Sequence, residues 1–269
     1  MVMSQLNVEL PDGARLATYR QGKGKTVFFI SGLGGTAGFW AQLIQQQAGQ
    51  WDMISLDQRG IGKSTRGNAR VTIRQLADDC LHVLDAHGVE NCVMVGHSTG
   101  GVITQDLAAR HPNRIQAIAL SGSWLKPHFY IEALFKQRVS LLQTQPEAYQ
   151  AFGVMMGYTP EWICNNWPAY EQALKNTPRS TESVQVIQER IDALISFDGS
   201  ELAPNLKMPA LVLSARDDAI IPCPLQQELF AALPKARISV LESGGHFFPV
   251  TRLKDTVENL SSFMDRLHA

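Results

Sequence analysis

Residues Cys92-Val93-Met94-Val95-Gly96-His97-Ser98-Thr99-Gly100 decide how this chain folds. The apolar run at the start predicts a buried strand, and the apolar spacing over residues 99–110 predicts a helix. The two elements meet at Ser98, in a turn so tight that the serine backbone is strained. Gly96 and Gly100 flank it at the positions where only small residues let the backbone close in. The turn therefore sets one serine hydroxyl at a helix N-terminus, where N–H groups favour negative charge.

The composition is that of a globular protein with a small-molecule substrate. The chain has 269 residues, 45% of them hydrophobic, which suffices for one large α/β domain or two small ones. Lys and Arg total 24 against 25 Asp and Glu, without a basic stripe, so neither nucleic acid nor a membrane surface is an expected partner. The N-terminus lacks the pattern of a secretory leader, and no apolar run is long enough to span a bilayer. We therefore expect a cytoplasmic protein.

The cysteines give no sign of a metal centre. They lie at positions 80, 92, 164 and 223, with neither a C-x-x-C pair nor metal-ligand spacing. We expect free, mostly buried thiols and no bound metal.

Strands and helices alternate over most of the chain. Two alternating segments, 6–10 and 14–20, predict a hairpin across Pro11-Asp12-Gly13. The units that follow predict a mostly parallel sheet with helices on both faces. Further strands are predicted at 26–31, 51–56, 92–95, 115–120, 210–214 and 237–241, and helices at 39–48, 72–87, 99–110, 223–233 and 253–267.

This alternation stops between the sixth and seventh predicted strands. Residues 125–204 contain four helical stretches, broken at Pro146, Pro160 and Pro178, and no strand pattern. The predicted organisation is thus a core of residues 1–124 and 205–269, with residues 125–204 inserted as helices over the sheet.

A serine hydroxyl becomes a strong nucleophile only when an imidazole takes its proton and a carboxylate orients that imidazole. Among seven histidines, His246 is the candidate base, because it follows two glycines in the loop after a predicted strand. Asp217 and Asp218 both follow the preceding strand, and we favour Asp218 as the acid. His97 adjoins the serine, but its place in the turn should direct its ring elsewhere.

The oxyanion of a tetrahedral intermediate needs two backbone N–H donors. The N–H of Thr99 is one, since it begins the helix after the serine. The second should come from Leu33, in the glycine-rich loop Ser31-Gly32-Leu33-Gly34-Gly35 that follows the third predicted strand.

The sequence of this loop also matches a dinucleotide-binding motif. Residues 32–37 fit G-x-G-x-x-G/A, and Asp57 ends the next strand about 20 residues further on. A hairpin precedes this strand, however, and a dinucleotide fold leaves Ser98, Asp218 and His246 unexplained. Residues 62–64 likewise resemble the end of a phosphate-binding loop but lack its earlier glycine.

Taken together, these motifs resemble the α/β-hydrolase superfamily over nearly the whole chain. The segments that carry the resemblance are Ser31-Gly32-Leu33-Gly34-Gly35, Asp57-Gln58-Arg59-Gly60-Ile61-Gly62-Lys63-Ser64, Gly96-His97-Ser98-Thr99-Gly100-Gly101, Asp218 before Pro222, and Gly245-His246. The resemblance implies an α/β-hydrolase fold, a helical cap over residues 125–204, and a structural turn over residues 57–64.

Within the superfamily the chain is most similar to the 3-oxoadipate enol-lactonases and the aminoacrylate hydrolases of pyrimidine breakdown. Ile30 to Gly35, Asp57 to Gly60, Ser123-Trp124-Leu125 and Tyr158-Thr159-Pro160-Glu161-Trp162 carry this similarity. The chain departs from the family at Ser31, where histidine is commoner.

The sequence thus predicts a cofactor-free serine hydrolase of a small ester or enol-lactone. Trp124, Arg138 and Trp162 are the candidate substrate contacts, and Lys126 is a second cation that could meet a substrate carboxylate. Two alternatives stay open: carbon–carbon bond hydrolysis of a ring-cleavage product, and a ligand-binding protein without turnover. A homodimer is also open.

Overall fold

The apolar strands form one sheet at the centre of the molecule. In the computed structural model, which describes residues 4–267, this sheet has eight strands in the order β1-β2-β4-β3-β5-β6-β7-β8. All pairs from β4 onward along the sheet are parallel, whereas β1 and β2 form the antiparallel hairpin at one edge. The strands are β1 (Ser4–Glu9), β2 (Arg15–Gly22), β3 (Thr26–Ile30), β4 (Asp52–Leu56), β5 (Cys92–His97), β6 (Ile115–Ser121), β7 (Ala210–Ala215) and β8 (Ala236–Leu241).

Helices cover both faces of this sheet. They are α1 (Ala41–Gln46), α2 (Ile73–Ala86), α3 (Thr99–Arg110), α4 (Phe129–Thr144), α5 (Pro146–Gly157), α6 (Pro160–Asn165), α7 (Trp167–Leu174), α8 (Thr181–Ile195), α9 (Cys223–Ala232), α10 (Phe248–Thr251) and α11 (Leu253–Asp265). Alternate residues of β5 enter different cores: Val93 and Val95 pack with α1 and α11, and Cys92 and Met94 with α2 and α3. Burial of β5 on both faces explains its unbroken apolar run.

The stretch between β6 and β7 differs from the prediction in one respect. Within residues 125–204 there are five helices, α4 to α8, where the sequence predicted four. The additional boundary falls at Asn166, where α6 ends and α7 begins with Pro168 in its first turn. Proline lacks an N–H and tolerates only the first turn of a helix, so it starts a new helix here.

The segment from Asp57 to Ser64 is a turn braced by its own aspartate. The Asp57 carboxylate accepts hydrogen bonds from the N–H groups of Ala37 (2.9 Å) and Lys63 (3.0 Å). This brace joins the 3-10 turn of residues 37–40, which follows the glycine-rich loop, to the loop after β4. Asp57 thus has a structural role in this fold.

No helix among residues 4–267 has the length and apolar character needed to cross a lipid bilayer.

Candidate active site

Ser98 occupies the sharp turn between β5 and α3. Its backbone has φ 54° and ψ −121°. A Cβ atom added at Gly96 would overlap the carbonyl oxygen of Gly100, and one added at Gly100 would overlap that of Ile30. Both flanking glycines are therefore needed for the close backbone contacts that the sequence predicted.

Two backbone donors lie next to Ser98. Within residues 4–267, neither the N–H of Thr99 nor that of Leu33 has a hydrogen-bond acceptor. Thr99 is the first residue of α3. The loop containing Leu33 lies directly against the serine, since a Cβ on Gly32 would lie 3.0 Å from Ser98 Cβ and 3.5 Å from Oγ. Two N–H groups are thus available near the hydroxyl.

His246 is held by Asp218. Its Nδ1 lies 2.8 Å from Asp218 Oδ2, and both side chains are buried. Because a carboxylate only accepts hydrogen bonds, this contact assigns the Nδ1 proton to His246 and leaves Nε2 as the acceptor. That tautomer is the one a general base requires.

Asp218 is fixed by further donors. Its Oδ1 accepts from the N–H groups of Ile220 (2.9 Å) and Ile221 (2.8 Å), and its Oδ2 also accepts from Gln226 Nε2 at 3.2 Å. Sequence reasoning missed Gln226, because a glutamine on an otherwise ordinary helix gives no signal of its long-range partner. The carboxylate has little freedom to leave His246.

Asp217 has a different position. Its two carboxylate oxygens accept from the N–H groups of Gly244 (3.1 Å) and Gly245 (2.9 Å). It therefore braces the loop that carries His246 without contacting the imidazole.

His97 packs against the candidate base. Its Nδ1 lies 3.1 Å from Ser121 Oγ, and its ring centroid lies 4.7 Å from that of His246. Burial lowers the pKa of His97 well below its usual value, and the nearby His246 acts in the same direction. A neutral ring at this place avoids a second positive charge beside His246. The sequence predicted only that this ring would be directed elsewhere; its packing against His246 could not be predicted from its place in the turn.

The loop after β6 lies beside both Ser98 and His246, which have no hydrogen bond between them in the described part of the chain. The carbonyl of Ser121, the last residue of β6, accepts a hydrogen bond from the Ser98 N–H. A Cβ atom added at the next residue, Gly122, would lie 3.3 Å from His246 Cε1. Catalytic hydrogen bonds are often long before substrate binds, so the absence of this bond is compatible with a role of His246 as the base.

The candidate substrate contacts lie in different surroundings. Trp162 stacks on Tyr158 with ring centroids 3.9 Å apart, and Tyr158 in turn contacts Phe247, next to His246. Trp124 is buried in the same apolar core as Leu33. Trp162 is thus linked to the His246 loop through a row of aromatic rings.

The side chains of the two candidate cations, Arg138 and Lys126, contact other groups of the protein. The Arg138 guanidinium lies over the rings of Phe135 (5.2 Å) and Tyr149 (4.8 Å). Lys126 is half exposed and forms a 2.8 Å ion pair with Glu228. Neither contacts Ser98, Asp218 or His246 through a hydrogen bond or ion pair within residues 4–267. The same residues contain no cluster of three His, Cys, Asp or Glu side chains suited to a metal ion.

The fold is that of an α/β hydrolase. The chain belongs to the α/β hydrolase fold family, whose sequence model matches residues 25–253. It is 32% identical over 228 residues to a putative carbamate hydrolase RutD of Azorhizobium caulinodans, covering 84% of this chain and 86% of that protein. A putative carbamate hydrolase RutD of Caulobacter vibrioides is 32% identical over 243 residues, or 90% of each chain.

Solved structures share the fold. The enol-lactonase from Burkholderia xenovorans LB400 superposes with a TM-score of 0.86 at 22% identity, over 97% of this chain and 100% of that one. A thermophilic esterase from Thermogutta terrifontis gives 0.87 at 18% identity, over 99% and 100%. These findings confirm the predicted fold and branch, and they make the chain a hydrolase of α/β fold.

Proposed function

We propose that this chain is a serine hydrolase that cleaves a small carboxylic ester or lactone through an acyl-enzyme. One observation supports the proposal: two N–H groups without an acceptor among residues 4–267 lie beside Ser98, and the loop after β6 links this turn to an imidazole held 2.8 Å from a buried carboxylate. Nucleophile, base, acid and oxyanion donors are the parts that acyl transfer needs. This reaction uses no cofactor.

In the proposed reaction, Ser98 Oγ attacks the carbonyl carbon while His246 Nε2 accepts the hydroxyl proton. The carbonyl π electrons move to oxygen, where the N–H groups of Leu33 and Thr99 stabilise the negative charge. Collapse of the intermediate breaks the bond to the alcohol or enol oxygen, which takes the proton from His246. Water then attacks the acyl-enzyme by the same steps and releases the acid and free Ser98.

We propose further that residues 125–204 form a cap on a core of residues 1–124 and 205–269. The row of rings from Trp162 to Phe247 supports contact between this cap and the reacting groups. Trp124 and Arg138 remain candidate substrate contacts, Arg138 through a substrate carboxylate. Assembly as a homodimer and a cytoplasmic location also stay predictions.

Hydrolysis of a carbamate is the second candidate function, because relatives over 84–90% of the chain carry that name. A carbamate presents a carbonyl carbon to the same nucleophile and the same two donors. The substrate alone separates this candidate from the first.

The test is turnover of a substrate panel together with covalent labelling of Ser98. The panel contains p-nitrophenyl acetate and butyrate, a γ-lactone, an enol-lactone, an N-alkyl carbamate ester and a ring-cleavage dienoate. We expect cleavage of a short ester or lactone, and loss of about 1000-fold or more in kcat/KM in Ser98→Ala. A fluorophosphonate should label Ser98 in the wild type.

Asp218→Asn and Asp217→Asn form a matched pair in the same assay. Asp218→Asn should lower kcat by about 1000- to 10,000-fold, because it leaves His246 without an anionic partner and in the wrong tautomer. Asp217→Asn should stay within about 10-fold of the wild type, since it disturbs only a loop brace. Preferred carbamate cleavage would move the assignment to the second candidate, and preferred dienoate cleavage to a carbon–carbon hydrolase. An unlabelled Ser98 without any turnover would overturn the proposal in favour of a binding protein.

A further inference from the structure

Arg190 is a fully buried cation on α8 whose hydrogen bonds go to neutral groups. Its Nε donates to the carbonyl of Leu33 at 3.0 Å, and its Nη2 donates to the carbonyl of Gly32 at 3.3 Å and to Gln58 Oε1 at 2.7 Å. Burial lowers its pKa to about 10, so the guanidinium remains protonated near neutral pH. A buried charge of this kind is costly, and its hydrogen bonds all go to the loop beside Ser98 or to Gln58, in the loop after β4.

Gln58 also forms hydrogen bonds to carbonyls of the loop beside Ser98. Its side-chain Nε2 donates to the carbonyl of Ser31 at 2.6 Å, and its backbone N–H donates to the carbonyl of Gly35 at 2.8 Å. Arg190 and Gln58 together therefore hold three consecutive carbonyls, those of Ser31, Gly32 and Leu33.

These carbonyl contacts fix the direction of the Leu33 N–H. In a planar trans peptide, the C=O of Gly32 and the N–H of Leu33 point in opposite directions. The Gly32 carbonyl is held by Arg190 and by the N–H of Gly35 at 3.0 Å. The Leu33 N–H must then point away from Arg190, and it has no acceptor among the described residues.

Without Arg190 the Gly32 carbonyl loses one of its two donors, and the N–H of Gly35 remains as the other. The loop contains Gly32, Gly34 and Gly35, and glycine gives the backbone access to conformations that other residues avoid. Rotation of the Gly32–Leu33 peptide would turn the N–H away and present a carbonyl oxygen in its place. That state could not stabilise an oxyanion.

We propose that Arg190, together with Gln58, is a positioning residue that fixes the Leu33 N–H as an oxyanion donor. This inference rests on the proposed serine-hydrolase function. Arg190 acts through the loop and does not contact the substrate.

A purely structural role for Arg190 would be to anchor α8 to the core. The neighbouring residue on α8 offers a matched control for that role, because Glu189 Oε2 accepts from Arg66 Nε at 2.7 Å. This ion pair also joins α8 to the core, but it does not touch residues 31–35. Arg66→Met should therefore loosen α8 without releasing the loop.

The experiment compares Arg190→Met, Arg190→Lys and Arg66→Met with the wild type on p-nitrophenyl acetate. It measures kcat, KM, the thermal midpoint, and inhibition by a trifluoromethyl ketone, which forms a tetrahedral oxyanion adduct with a reactive serine. We expect Arg190→Met to lower kcat by about 10- to 100-fold, which is less than the loss expected when an oxyanion donor is removed altogether. Its KM should change by less than about 3-fold, and ketone affinity should fall by the same factor as kcat.

The other variants complete the test. Arg190→Lys should recover part of the loss, since one ammonium replaces a planar two-point donor. Arg66→Met should lower the thermal midpoint but leave kcat and ketone affinity within about 2-fold. Equal kcat and ketone affinity in Arg190→Met and Arg66→Met would overturn the proposal and leave Arg190 as an anchor.

If Arg190→Met does not fold, Arg190→Lys and Gln58→Leu decide the question by the same two readouts. Both should lose kcat and ketone affinity together, and unchanged values in either would overturn the proposal. Failure of the underlying function has a different signature: a wild type that neither cleaves the ester nor binds the ketone removes both proposals.

Discussion

The backbone of Ser98 is strained, and its neighbours hold it in place. Ser98 is the one non-glycine residue with a positive φ in the described range 4–267. Its N–H donates to the carbonyl of Ser121 at 2.8 Å, and its own carbonyl accepts from Gly101 N–H at 2.8 Å and from Ser123 Oγ at 3.1 Å. A residue in such a conformation costs roughly 1–3 kcal/mol, which the surrounding fold must offset.

This strain predicts an order of stability for two inactive variants. Ser98→Gly should be more stable to urea than Ser98→Ala by about 1 kcal/mol, because glycine adopts φ 54° without a Cβ penalty. The gain is reduced by the larger entropy that glycine has in the unfolded chain, about 0.4–1 kcal/mol. Both variants lack the hydroxyl, so their difference reports the backbone alone. Equal free energies of unfolding in urea titrations would contradict the strain at this position.

Residues whose role depends on a local pattern could be predicted, and residues whose role depends on a distant partner could not. The structure brings together Asp218 and His246 because each follows a parallel strand, and parallel strands end at the same edge. The sequence indicates the role of Arg190 less clearly than the roles of Asp218 and His246. Arg190 shares a helix face with the buried Val186 and Leu194, four residues away on either side, where an arginine is unusual. No spacing in the sequence specifies that its partners are the carbonyls of residues 32 and 33.

At the scale of elements, the core was easier to predict than the inserted helices. Strand bounds in the core agree with the predictions to within about two residues, because buried parallel strands have unmistakable apolar runs. The helix predicted at 39–48 is shorter, since residues 37–40 form a 3-10 turn before α1. In the insertion, helix ends depend on how neighbouring helices pack, which a single sequence does not record.

The turn between α5 and α6 is tied to the loop that carries His246. The N–H of Phe247 donates to the carbonyl of Gly157 at 2.9 Å. A Cβ atom added at Gly157 would overlap the Phe247 ring, whereas one added at Gly153, one turn earlier, would meet the end of the flexible Arg138 side chain at 2.9 Å. Gly157 is therefore a close-packed contact between this turn and the loop that carries the candidate base.

This contact predicts different effects for the same substitution at two glycines of α5. Gly157→Ala should lower the free energy of unfolding by about 1–3 kcal/mol, because the methyl group forces Phe247 aside. It should also lower esterase kcat, since displacement of Phe247 moves His246. Gly153→Ala should be neutral or stabilise by up to about 1 kcal/mol, as alanine favours a helix interior. Urea titration and ester turnover of the two variants test this, and indistinguishable variants would argue against the coupling.

At the scale of the whole molecule, one buried arginine joins three separate parts of the core. Arg59 is fully buried and forms a two-point ion pair with Asp79 of α2, with distances of 2.8 and 2.7 Å. It also pairs with Asp12, in the turn of the hairpin between β1 and β2. Burial by itself would raise the pKa of Asp12, but hydrogen bonds from Arg59, Ala69 and Ala14 hold it well below its usual value.

The Asp12 contacts predict stability that depends on pH. Because the folded-state pKa of Asp12 lies below its unfolded value of about 3.9, the ionised carboxylate stabilises the fold fully above that value. The contribution is lost as the pH falls through the lower, folded-state pKa. Asp12→Asn should therefore reduce the free energy of unfolding by about 1–3 kcal/mol at pH 7, with a smaller deficit near pH 3.

The matched control for this prediction is an exposed ion pair. The Asp85 carboxylate pairs with Arg114 at 2.7 Å, but its side chain is 56% exposed. Asp85→Asn should therefore change the free energy of unfolding by less than about 1 kcal/mol at any pH. Urea titrations of both variants and the wild type at pH 7, 5 and 3 provide the measurement. A deficit in Asp12→Asn that stayed constant from pH 7 to pH 3 would show that its charge does not join the hairpin to the core, and that the turn is held by packing instead.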